Sequence, residues 1–172
     1  MPPDCLMNAG RARPAQSEIA SDGRARLRSG LMNVPQIRSP HDKVGGVLHF
    51  GRMIDKIRAN AVSPLGENYE PFMGKGFDGR VCNFLKISYH DLRDHVLGNP
   101  DASAEVMLDW AYGHGRRPDD EEIFAFNEFV RKYGWNDEAT DRLKWRKETS
   151  ELGSRDDIVT MFQYIDADEG RG

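Results

Sequence analysis

An all-α bundle of about six or seven short helices is the fold this chain's residue pattern calls for. From Val47 to Ile165, apolar residues recur in separate windows at alternating three- and four-residue steps, the repeat of one helix face. Those windows are punctuated by Ser, Asp or Asn at their starts and by Gly or Pro at their ends. No stretch alternates with period two, as a half-buried strand would.

The first helix is the best marked. Ser39 is a good N-cap, Pro40 fits the first helical position, and Asp42 complements the helix dipole. Val47, Phe50, Ile54, Ile57 and Ala61 then form one apolar stripe. Gly45 and Gly46 interrupt it, so the expectation is one N-terminal turn, a loosened step and then the main helix. His49, Arg52 and Lys56 share its polar face, and Asp55 lies within reach of both Arg52 and Arg58.

A connection with two Pro and three Gly follows from Ser63 to Gly76, and Tyr69 and Phe72 are the side chains able to pin it. Phe77, Val81, Phe84 and Leu85 mark a short second helix. Ser88 with Asp91 forms a capping-box pattern for the third, which stops at Gly98-Asn99-Pro100. Asp101 is expected to cap the fourth, with Met107, Trp110 and Ala111 inward and Gly113 and Gly115 ending it. Pro118 and the four acids after it open the fifth, whose stripe is Ile123, Phe126, Val130 and Tyr133. Asn127 falls on that stripe, so if buried it needs partners, as a tie between elements or as the polar group of a pocket. Asn136 is expected to cap a mostly charged, exposed sixth helix. Ser154 with Asp157 is expected to box a seventh bearing Ile158, Phe162 and Ile165.

Length and composition bound the rest. With 172 residues, 38% apolar and 30% charged, the chain reads as one globular domain, residues 36–172, behind a disordered N-terminal tail, residues 1–35. Residues 1–32 hold five Arg against three acids, leaving 19 basic against 25 acidic residues, a formal −6, beyond them. Such an acidic domain argues against non-specific nucleic-acid binding. No apolar run reaches the roughly 20 residues that span a bilayer, so no membrane partner is expected. Two cysteines, Cys5 and Cys82, make no disulfide framework, and a cytoplasmic location is the simplest reading.

Four boxes stand in order along the chain: Asp42-Lys43-Val44-Gly45-Gly46, Arg52-Met53-Ile54-Asp55-Lys56-Ile57-Arg58, Gly74-Lys75-Gly76-Phe77-Asp78-Gly79-Arg80, and Ile165-Asp166-Ala167-Asp168-Glu169-Gly170-Arg171. Together they resemble a family of small bacterial proteins defined only as a domain of unknown function. The resemblance runs from about Ser39 to Arg171 and implies a bacterial, cytosolic, single-domain protein. It brings no reaction, cofactor or catalytic residue with it.

The chemistry therefore rests on the residues themselves. Glycines before the second helix can aim backbone N–H groups at an anion, with Lys75 adding charge; Lys43, Lys75, Gly76, Asp78 and Arg80 are the candidate ligand-binding residues. Asp78 competes for the same N–H groups as a dipole-complementing cap. Asp55, oriented by Arg52 or Arg58, together with Lys56, is the candidate acid–base group, because desolvation and opposite charge tune such pairs. The same charges also make sense as an ion-pair network fixing the first helix against the Gly-rich turn.

No metal motif is present: His90 and His95 are five apart rather than four, and no cofactor is implied. Cys82 reads as a buried small hydrophobe. Two functions follow. One is a helical binding or interaction module for a small anionic ligand or a protein partner. The other is an acid–base enzyme whose cleft is built by the first helix and the Gly74–Arg80 turn. The sequence sets no oligomeric state.

Overall fold

A computed structural model describes residues 36–171, so the tail expected at residues 1–35 lies outside the described residues. Among them the chain is mostly helical. Two two-residue strands, β1 (Lys43–Val44) and β2 (Val47–Leu48), precede seven α-helices: α1 Phe50–Val62, α2 Gly76–Leu85, α3 Tyr89–Gly98, α4 Ala104–His114, α5 Asp120–Lys132, α6 Thr140–Thr149 and α7 Met161–Asp168. One 3-10 turn, Glu70–Phe72, lies within the long connection after α1.

The hairpin corrects the expected N-terminal turn. Val44 pairs with Val47 and Lys43 with Leu48 around Gly45 and Gly46, whose φ angles are 53° and 86°. Two consecutive positive φ values describe the two-residue turn that matches strand twist, and glycine enters it without a Cβ penalty. A Cβ on Gly45 would also sit 2.4 Å from Leu108. Ser39, expected as the helix cap, accepts the His41 N–H and donates to Asp166 across the fold.

The larger part of the buried apolar surface falls into two packed groups. Phe50, Met53, Ile54 and Ile57 of α1 meet Val81 and Leu85 of α2, Leu92 and Val96 of α3, and Met107, Leu108 and Ala111 of α4. Tyr133, Leu143, Ile158, Met161 and Tyr164 make the second group around α6 and α7. Leu48, Val130 and Phe162 are buried together between β2, α5 and α7. Ala61, the last residue of the predicted α1 stripe, is exposed.

Several helix starts differ from expectation because a nearer cap wins. Ser103, not Asp101, caps α4 by accepting the Val106 N–H. Asp119 and Glu122 exchange both arms of a capping box, so α5 begins two residues after Pro118. Asp137 accepts the N–H groups of Gly134 and Ala139, holding a turn that delays α6 to Thr140. Thr160 and Gln163 box α7, while the expected Asp157 is engaged by Arg155 at 2.7–2.8 Å.

Asn127 is the tie its position on the stripe required. Its Oδ1 accepts the Leu48 N–H at 3.0 Å and its Nδ2 donates to the Gly46 carbonyl at 2.7 Å, fastening α5 to the hairpin. Asn127→Leu strands the buried Leu48 N–H, leaves the Gly46 carbonyl to water, and is expected to lower the unfolding free energy by about 1–3 kcal/mol. Urea unfolding measures it, and a loss below about 0.5 kcal/mol would show that the tie contributes little.

Candidate functional site

α1 carries an unusual load for a 13-residue helix: Arg52, Asp55 and Lys56 are all buried in it. Charges removed from water must be paired or hydrogen-bonded, so their partners identify what the fold has assembled. Lys56 Nζ lies 2.7 and 2.8 Å from the two carboxylate oxygens of Asp78, which is 0% exposed in the first turn of α2. Nε2 of His49, the residue preceding α1, is 2.8 Å from the same carboxylate, and the Gly74 N–H donates to it at 3.1 Å. Asp78 is thus a hub with four hydrogen bonds rather than a helix cap.

Burial pushes the Asp78 carboxyl upward, but the Lys56 ammonium and the bonds from His49 and Lys56 outweigh it and hold it below the usual carboxylate range. Burial also draws the Lys56 ammonium down while Asp78 opposes the shift. For His49 burial wins over Asp78, and the imidazole is drawn down to about 4, leaving it neutral near pH 7.

A second hub forms at the far end of the chain. Arg52 donates to Glu169, at 2.9 Å for one bond, and to the Arg38 carbonyl at 2.8 Å. Tyr69 donates its hydroxyl to Glu169 at 2.8 Å, and Arg171 pairs with the same carboxylate. This joins α1, the long connection and the end of α7.

Between the hubs opens a pocket of about 590 Å³. α1 contributes Arg52 and Lys56, the Asn68–Asp78 segment one side, α6 Arg142 and Arg146, and α7 Met161, Tyr164 and Ile165. Seven basic side chains border it against three acidic ones. Arg52, Lys56 and Arg171 are paired with carboxylates, and Arg80 reaches Glu138 only at 3.7 Å. Among the described residues no carboxylate lies within 4 Å of Lys75, Arg142 or Arg146. Arg80 packs 4.4 Å from the Tyr133 ring centre and Arg146 5.0 Å from that of Phe72, while Arg142 donates to the Tyr133 hydroxyl. Aromatic faces hold guanidinium groups in place yet leave N–H groups able to donate.

Of the residues predicted from sequence, Arg52, Lys56, Lys75, Gly76, Asp78 and Arg80 all border this pocket. Lys43 and Asp55 do not line it. Lys43 is exposed on the hairpin. Asp55, expected to be oriented by Arg52 or Arg58, instead takes Arg38 through its backbone N–H at 3.1 Å, Nε at 2.6 Å and Nη2 at 3.0 Å. The reason is competition: Glu169 engages Arg52 and the Ala102 carbonyl engages Arg58. His49, Arg142, Arg146 and Glu169 border the pocket without having been singled out. His49 carried a signal in its spacing from Arg52 and Lys56, and Glu169 in its place within the fourth box; Arg142 and Arg146 carried none.

Cys82 is buried, its thiol pushed up to about 12 by burial, with Sγ 3.9 Å from the Met53 sulfur. Among the described residues no three His, Cys, Asp or Glu side chains gather closely enough to hold a metal ion, and no helix is long and apolar enough to cross a membrane. Compared with known proteins, residues 34–171 match the family described as Domain of unknown function (DUF5069), and no curated protein matches the chain.

Proposed function

We propose that this chain, which belongs to the DUF5069 family, binds a small organic anion in the pocket between α1, α6 and α7. The observation that carries this reading is the basic wall: Lys75, Arg142 and Arg146 face one cavity without carboxylate partners among the described residues. In a chain with formal net charge −4, that concentration of positive charge is local, not a reflection of composition. Arginine N–H groups recognise phosphate or carboxylate oxygens through paired hydrogen bonds. Phe77, Met161 and Ile165 border the same cavity and suit an apolar portion of the ligand. The volume lies within the roughly 300–1,000 Å³ of small-molecule sites.

A thermal-shift screen of the full chain against phosphorylated and carboxylated metabolites tests this, because a ligand bound to the native state raises the melting point by mass action. The Arg142→Ala/Arg146→Ala double variant gives up the bond to the Tyr133 hydroxyl and the stack on Phe72, so its ligand-free melting temperature is expected to fall by only a few degrees, since Leu143 is the buried residue of α6, and it should bind hits at least tenfold more weakly. Hits that shift wild type and double variant equally would place binding elsewhere. A silent panel would overturn the anion pocket and favour a module that docks a protein segment.

A further inference from the structure

His49 combines three features that ordinary core histidines do not need. Its backbone is left-handed, φ 66° and ψ −19°, a conformation that costs free energy for a residue with a Cβ. Its ring is buried beside Phe77 and Phe162, with centroids 5.4 and 5.8 Å away, and borders the pocket. Its Nδ1 is buried with no hydrogen-bond partner.

The tautomer follows from the hub. Asp78 is held ionised beside Lys56, so it only accepts, and His49 Nε2 must carry the hydrogen directed at it. Nδ1 is then a bare lone pair oriented by a carboxylate behind the ring. An aspartate that fixes one imidazole nitrogen so that the other accepts a proton is the arrangement of a general base.

We propose that His49 Nδ1 is the general base of an acid–base reaction on the anion the pocket binds. The substrate's O–H or C–H bond breaks, its electron pair stays on the substrate atom, and the proton forms the Nδ1–H bond of an imidazolium paired with Asp78. This rests on the anion-pocket reading, whose excess of basic side chains leaves the new negative charge in a favourable field. The charged groups acting on His49 are Asp78 from α2 and Lys56 and Arg52 from α1; Phe77 and Phe162 carry no charge. Lys56, which keeps Asp78 ionised, is a positioning residue.

Side-chain nitrogen NMR of the ¹⁵N-labelled full chain, with and without pyrophosphate, tests the assignment. Hydrogen pyrophosphate supplies both the anion and an acidic O–H. The free protein is expected to show His49 protonated on Nε2 and bare on Nδ1. Added pyrophosphate should move the Nδ1 signal toward its protonated position and raise the His49 titration midpoint by at least one pH unit, a tenfold gain in proton affinity. In parallel, the proton uptake on pyrophosphate binding, expected between about pH 4 and the raised midpoint, should disappear in His49→Gln, while the Arg142→Ala/Arg146→Ala variant should lose the binding. A free-state Nδ1–H tautomer overturns the proposal. So does an Arg142- and Arg146-dependent thermal shift that leaves Nδ1 unmoved, although the anion pocket then stands. Absence of any shift overturns both for this class of anion.

Discussion

Asp78→Ala is expected to destabilise the protein by about 3–5 kcal/mol, the cost of removing one partner from a buried ion pair. The substitution leaves the Lys56 ammonium buried at 5% exposure and strands His49 Nε2 and the Gly74 N–H. Arg38 and Asp55 provide the contrast. The Arg38 side chain keeps 33% exposure, so water can replace much of what Asp55→Ala removes, and about 1 kcal/mol is expected there. Urea unfolding of both variants makes the comparison. The Asp78→Ala/Lys56→Met double variant should recover part of the loss, because the unpaired charge disappears with its partner. A loss below about 1 kcal/mol for Asp78→Ala would mean that water reaches Lys56 and that the hub does not anchor α1 to α2.

Acid should destabilise the protein in two separate steps. His49 binds its proton at about 4 in the native state but near 6.5 when unfolded, so between those values the unfolded chain holds more protons. The contribution of neutral His49 is therefore complete above about pH 6.5 and is lost progressively down to pH 4. Its size is on the order of 3 kcal/mol, at about 1.4 kcal/mol per pH unit. Asp78 works at lower pH: its native carboxyl is held below 3.8, so its contribution is complete above that value and is lost as pH falls further. Unfolding free energies measured at intervals from pH 7.5 to 3 should trace both steps. His49→Gln should flatten the first and retain the second. An unchanged slope in that variant would assign the first step to other groups.

Much of the local architecture is legible in the residues. The apolar stripes place α2, α3 and α5 close to their observed positions, Ser88 caps α3, and Asn127 announces a buried tie. The hairpin was legible too, because Gly-Gly between Lys-Val and Val-Leu is the pattern of a two-residue turn. Val47 and Phe50 obscured it, since their three-residue spacing fits a helix face and both are buried, although Val47 belongs to β2 and Phe50 opens α1. Cap choice was less legible. Ser154-Asp157 and Thr160-Gln163 are both plausible starts, and the Met161 N–H bonded to the Tyr133 carbonyl at 2.8 Å belongs to the fold that selects the second.

For the site, spacing along the chain puts Arg52 and Lys56 on one face of α1 and His49 one residue before its start. Their partners could not be read in the same way. Asp78 lies 22 residues beyond Lys56, and Glu169 lies 117 beyond Arg52. Asp55 shows the consequence: two arginines stood at helical reach, and a third, from the segment preceding the hairpin, took the carboxylate. The sequence by itself determined the helices and the face on which the charges sit, because backbone hydrogen bonds and caps act within a few residues. Only the tertiary structure decided which charges pair and which line the pocket, because desolvation depends on what other elements bring against each side chain.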